Sequence, residues 1–186
     1  ATTVVTLTGG AIGGDEVDVI AITGALVAGA AITAEGLTVT GTSSLTGNVT
    51  SSGAAGQVYG ALTTNAHASK RILTASAGDV NLTGYSGNSQ DLDIVGALDL
   101  DGNITATKVF DVSGALDLGA NITTSDTITI DGATTLTGGD RVLTTSADAV
   151  TLTGTIQGAH GLTINTADNT VVVTLTGGAI GGDEVD

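Results

Sequence analysis

An all-β fold, a parallel β-solenoid, is what this sequence predicts, and three observations predict it. Apolar and polar residues alternate in short runs bounded by glycine, the apolar residues are almost all small or branched aliphatics, and segments of the chain recur at fixed offsets. Alternation has period two, the signature of a strand with one face buried. Along the chain it pairs Ile20 with Ile22, Leu37 with Val39, Leu92 with Ile94 and Phe110 with Val112, then Ile128 with Ile130, Val150 with Leu152 and Leu162 with Ile164. These are expected to point inward, with the Thr, Asp or Asn between them pointing out. Runs of three to five residues between Gly, Asn and Asp fit a coil with two or three short sides. Hairpins need Asn-Gly or Asp-Gly at each reversal, and only Asp101-Gly102 and Asp131-Gly132 offer it.

Composition agrees. Hydrophobic residues make up 41% of the 186 but aromatics only 2%, with no Trp, Met, Cys or Pro, and 29 glycines supply tight corners. Disorder is excluded by the β-branched residues at regular spacing. Four cations (Lys70, Arg71, Lys108, Arg141) against 19 carboxylates leave a net charge of −15, which argues against nucleic acid or an anionic membrane as partner. The lack of cysteine permits an oxidising compartment without requiring one. The longest apolar stretch, Val19 to Ala34, is broken by Thr23, Gly24 and Gly29 and reads as strands, so no membrane insertion is expected. The sequence opens on Ala1, which reads as a processed end or an excision point.

The repeats fix the architecture. Residues 4–18, Val-Val-Thr-Leu-Thr-Gly-Gly-Ala-Ile-Gly-Gly-Asp-Glu-Val-Asp, recur letter for letter as 172–186, an offset of 168. Residues 71–84 align without gaps to 141–154, and 92–105 to 110–123; looser copies begin at Ile128 and Leu37. The short spacings give coils of about 18–22 residues, solenoid lengths. Residues 1–186 are therefore expected to form one continuous segment, with eight or nine coils in each long repeat and open, uncapped ends.

Gly-Leu-Thr-Val-Thr (36–40), Gly-Leu-Thr-Ile-Asn-Thr (161–166), Gly-Ala-Leu-Asp-Leu (96–100) and Leu-Thr-Gly-Gly-Ala-Ile-Gly-Gly (7–14) resemble the haemagglutinin-type repeats of filamentous haemagglutinins, autotransporter passengers and other giant bacterial adhesins. The resemblance implies a right-handed parallel β-helix, secreted and displayed as a fibre. Its amino-terminal secretion domain and carboxy-terminal barrel are not in the sequence.

Chemistry is sparse. His67 and His160 do not recur in the copies, where Thr137 and Gln90 stand opposite, so both read as turn residues and no nucleophile motif anchors a triad. The glycines of 9–14 are followed by Asp15 and Glu16, which would repel phosphate. The same run lacks the nine-residue recurrence of a calcium roll. The sharper constellation comes from stacking: when the copy at 110–123 lies on that at 92–105, Asp93 sits over Asp111 and Asp99 over Asp117, each pair about 5 Å apart. Such pairs need solvation or a bridging cation, and calcium, a hard ion taking oxygen ligands, is the candidate. Asn48, Asn81, Asn103 and Asn121 each begin Asn-x-Thr, a triplet that a Thr-rich chain generates freely. Thr-x-Thr runs resemble ice-binding faces, but Asp interrupts the array at 93 and 111.

The expected role is structural and not enzymatic: an extracellular or cell-surface filament acting as stiff spacer, matrix or adhesin. Its expected partners are copies of itself stacked end to end and a cell-surface or glycan receptor. A calcium-dependent adhesive module and a polysaccharide-active β-helix enzyme are the rivals. The latter is disfavoured because Tyr59, Tyr85 and Phe110 are the only aromatics.

Overall fold

The computed structural model describes residues 3–13, 17–65, 70–146, 148–168, 170–178 and 180–181. Every described strand pairs in parallel, all 21 belong to one sheet, and the sheet winds through about eight turns. Among the described residues there is no helix.

Each turn has three sides. Face 1 stacks Val4–Leu7, Ala25–Ala28, Ser43–Leu45, Leu62–Thr64, the openings of Tyr85–Val95 and Ile104–Val112, then Ile122–Thr124, Arg141–Thr145 and Leu162–Thr166. Face 2 stacks the openings of Ile32–Val39 and Val49–Tyr59, then Arg71–Ala75, the later parts of Tyr85–Val95 and Ile104–Val112, Ile128–Ile130, Val150–Leu152 and Val173–Leu175. Face 3 stacks Val19–Ile22, the ends of Ile32–Val39 and Val49–Tyr59, then Val80–Leu82, Leu98–Leu100, Leu116–Leu118, Thr134–Leu136 and Ile156–Gln157. The chain visits the faces in the order 1, 2, 3.

The alternation dictates these elements. From Leu92 to Leu136 an inward residue opens a face at every sixth position: Leu92, Leu98, Ile104, Phe110, Leu116, Ile122, Ile128 and Thr134, all buried. Three such sixes make one coil. Elsewhere a coil is as short as the step from Leu26 to Ser43 and as long as the step from Val49 to Leu73. Both lie outside the coil lengths expected from the sequence, because corners lose or absorb residues while the strands keep register.

The interior is a stack of aliphatic columns, such as Leu82, Leu100, Leu118 and Leu136 below face 3. Each buried Leu contributes about 1.5–3 kcal/mol. The Thr and Asp between the inward pairs face out, and threonine also occurs inside. Thr64, Thr107, Thr124, Thr134 and Thr145 are inward and buried. At the corner after face 1 the hydroxyls of Thr124 and Thr145 donate to the carbonyls of Asp126 and Asp148, which satisfies both groups where the chain bends.

Corners between faces 2 and 3 carry a column of glycine: Gly96, Gly114, Gly132, Gly154 and Gly177. A Cβ on any of the last four would drive into the carbonyl of the glycine one coil before. Close approach of backbone to backbone is what requires glycine here.

Near-identical sequences occupy different faces. Residues 71–82 lie on faces 2 and 3, whereas their copies at 141–152 lie on faces 1 and 2. Val4–Leu7 lies on face 1 and its copy Val173–Leu175 on face 2; Ile12 bridges Ile32 on face 2 and its copy Ile180 bridges Ile156 on face 3. A face asks for two inward residues separated by one outward residue, so these copies are accommodated on different sides.

Candidate functional site

The four aspartates singled out by stacking fall as two in-register pairs. Asp93 is beside Asp111 on face 2, and Asp99 is beside Asp117 on face 3. Alternation turns each outward, since Leu92, Ile94, Leu98, Leu100 and their partners take the interior. The two pairs occupy different sides of the coil, so the carboxylates form two short ladders and not one cluster.

Each ladder has its own partners, a cation on face 2 and neutral donors on face 3. On face 2, Lys70 Nζ reaches Asp93 Oδ2 at 2.8 Å. The bond to Asp93, reinforced by the charges of Asp111 and Asp91, holds the Lys70 ammonium above its ordinary range. Asp111 is pushed above the usual carboxylate range, chiefly by burial and then by the charge of Asp93, against the pull of a hydrogen bond from Thr129. On face 3, Asn81 Nδ2 donates to Asp99 Oδ2 and Thr137 Oγ1 to Asp117 Oδ1, both at 2.7 Å. Asp99 is also raised, first by burial, then by the charges of Asp101 and Asp117.

The face 3 pair lines a shallow groove with Asp79 and Thr135. Among the described residues no three His, Cys, Asp or Glu side chains come close enough to hold a metal by themselves. A cation bridging Asp99 and Asp117 would need water for the rest of its shell, because calcium takes six to eight oxygens. Sequence reasoning missed Lys70, Asn81 and Thr137. Each lies about one coil from its acid, so only the exact coil length at that point would have revealed it.

Of the other singled-out residues, three asparagines have structural employment. His160 is exposed in a bend, while His67, Asp15 and Glu16 lie outside the described residues. The Oδ1 atoms of Asn48, Asn103 and Asn121 accept from the backbone N–H of Ile72, Asn121 and Val142 one coil on. In these three triplets Asn stands just before a strand and stitches adjacent coils, whereas Asn81 is in mid-strand and donates to Asp99. Outward hydroxyls do the same: Thr40 donates to the Thr23 carbonyl and Thr153 to that of Asp131.

A polar band crosses the interior between residues 43 and 85. Tyr59 donates to Gln57 Oε1 at 2.9 Å, Gln57 Nε2 donates to the Thr74 carbonyl at 2.7 Å, and the Tyr85 hydroxyl meets Thr64 Oγ1. Burial pushes the Tyr85 hydroxyl up to about 12 and that of Tyr59 further. Arg71 is buried on the same side as Leu73 and Ala75, and among the described residues its Nε and Nη2 meet no acceptor.

Comparison with protein-family models, with curated proteins and with solved structures found no match.

Proposed function

We propose that this chain is a structural segment of an extracellular filament or surface fibre, serving as stiff spacer, matrix or adhesin. One observation carries the reading: a parallel ladder of about eight turns whose outermost described coils hold copies of one sequence, residues 5–7 at one end and Val173–Leu175 at the other. A ladder of this kind is extended by repetition, since each coil touches only its neighbours. The resemblance of the repeats to those of giant bacterial adhesins supports secretion and surface display. The outward hydroxyls and the net charge of −15 keep such a fibre soluble.

The test is electron microscopy and fibre diffraction of the native material. Thin filaments with an axial spacing of about 4.8 Å between strands are expected. A dispersed, unassembled protein that turns over a polysaccharide would replace this reading with the β-helix enzyme. A calcium-dependent adhesin is the second reading, favoured by the stacking of Asp99 on Asp117 in their groove. It requires the melting temperature to rise with calcium and the rise to vanish in Asp99→Asn/Asp117→Asn. An unchanged melting temperature removes it.

A further inference from the structure

We infer that the long repeat, from Val4 to its copy at Val172, comprises eight and one-third turns, so that each further copy stacks on the last coil rotated by one face. The inference rests on the filament reading for its biological sense but on the chain's own register for its geometry. On face 1 the inward column runs Val5, Leu26, Ser43, Leu62, Tyr85, Ile104, Ile122, Leu143, Ile164, which is eight turns. Val173, the copy of Val5, comes one side later, paired with Val150 on face 2. The second landmark agrees independently: Ile12 is on face 2 and its copy Ile180 on face 3. Inward and outward residues are preserved by the shift, since Val5 and Leu7 are inward and so are the partners of Val173 and Leu175.

The occupant of the last coil is therefore specified. Val19–Ile22 follows Ile12 on face 3, so its copy is placed on face 1, above Leu162–Thr166. Both edges suit the contact. Among the described residues no strand lies beneath Val19–Ile22, whose inward Ile20 is only partly buried, and Leu162 and Ile164 are only partly covered in an apolar hollow shared with Leu175 and Ile180. Ile20 and Ile22 of the copy would fill that hollow in register, closing the ladder with aliphatic contacts like those inside the molecule.

Copies then advance about 40 Å and turn by one face, and every third copy, after 25 turns and about 120 Å, repeats on the same side. Any surface feature, such as the Asp99–Asp117 ladder, is presented to each side of the fibre in succession. A repeat of whole turns would instead line all copies of it along one side.

Cysteine pairs in the full chain test the phase, because the natural sequence has none. Thr174 is in register with Thr151 on face 2. In Thr151→Cys/Thr174→Cys the Cα atoms stand at about the 4.8 Å of neighbouring strands, inside the disulfide range, and mild oxidation is expected to consume both thiols within one chain. A repeat of eight whole turns would instead give Thr174 the place above Thr144 on face 1, so Thr144→Cys/Thr174→Cys is expected to stay reduced. Cross-linking of the second pair, or of neither while circular dichroism stays native, overturns the inference. In assembled tandem copies, helical reconstruction should give a one-face rotation for every advance of about 40 Å. Filaments in which successive copies superpose without that rotation overturn the inference and leave the filament reading intact, whereas absence of filaments sinks that reading while the thiol result still decides the phase.

Discussion

Arg71 and Arg141 open the same sequence motif and meet opposite fates. Arg141, on face 1, sends Nε to the Leu118 carbonyl at 3.1 Å and Nη2 to that of Thr137. Arg71, on face 2, is in a column that continues as Leu92, Phe110, Ile128 and Val150, and burial lowers its guanidinium below the ordinary range. Arg71→Leu is therefore expected to raise stability by about 1–3 kcal/mol, the cost of a buried unsatisfied polar group, as read by chemical denaturation; a loss of stability would mean that the guanidinium is offset by an interaction not seen among the described residues. Asp99 and Asp111 make a pH prediction. Their folded-state affinity for protons exceeds that of the unfolded chain, so the folded state binds more protons between the ordinary carboxylate range and their raised values. Stability therefore falls as pH rises through that window and is greatest below it. The melting temperature should be higher near about pH 4 than at neutrality, and Asp99→Asn/Asp111→Asn should flatten the profile; a profile as steep as the parent's contradicts the assignment. Arg71 was legible in principle, two residues before Leu73 in the alternation. Its lack of partners was not, because partners in a coil depend on which side the motif lands on.

At the level of strands and corners, the alternation announced seven inward pairs, because a φ-x-φ run has only one way to bury both apolar side chains against a column, and it passed over those with a polar member, such as Ser43 with Leu45 and Thr134 with Leu136. What it hid was the side. Three chemically similar faces accept the same run, so the copies at 71 and 141 look equivalent in sequence and are not equivalent in space. The stacking of Asp93 on Asp111 and Asp99 on Asp117 was legible because the coil that separates them is three unbroken sixes; Lys70 was not, since the coil from Arg71 to Leu92 is longer than three sixes and hides the register. Inward Thr124 and Thr145 escaped notice because a hydroxyl in the core becomes acceptable only when a corner carbonyl receives it. The glycine column gives this scale its prediction. Gly132→Ala puts a methyl against the Gly114 carbonyl and peptide, with backbone on both sides and no side chain to yield. A destabilisation of about 1–3 kcal/mol is expected, whereas Gly10→Ala, which meets open space, should cost less than half as much in the same thermal melt. Equal effects would show that the close approach is not what selects glycine.

Over the whole molecule, each coil rests on its two neighbours and on nothing else, so stability is a sum along one axis. The outer coils are the less covered: the inward Val5, Leu7, Leu162 and Ile164 are only partly buried, while Ile94, Leu100, Phe110 and Ile130 are fully buried. Hydrogen exchange should therefore show protection highest between about residues 92 and 152 and declining toward both sides, as coils open in succession. Uniform protection with a single opening free energy would instead make the solenoid one cooperative block. The interchangeability of the faces has an evolutionary consequence. A gene encoding such a chain can duplicate a piece that is not a whole number of turns, and the product still folds, because the displaced strand finds an equally suitable column on the next side. Neither the step from Arg71 to Arg141 nor that from Val5 to Val173 returns the chain to its starting face, which is what a history of that kind leaves behind. The geometry constrains the inward pair of each side and leaves the number of turns in a repeat unconstrained.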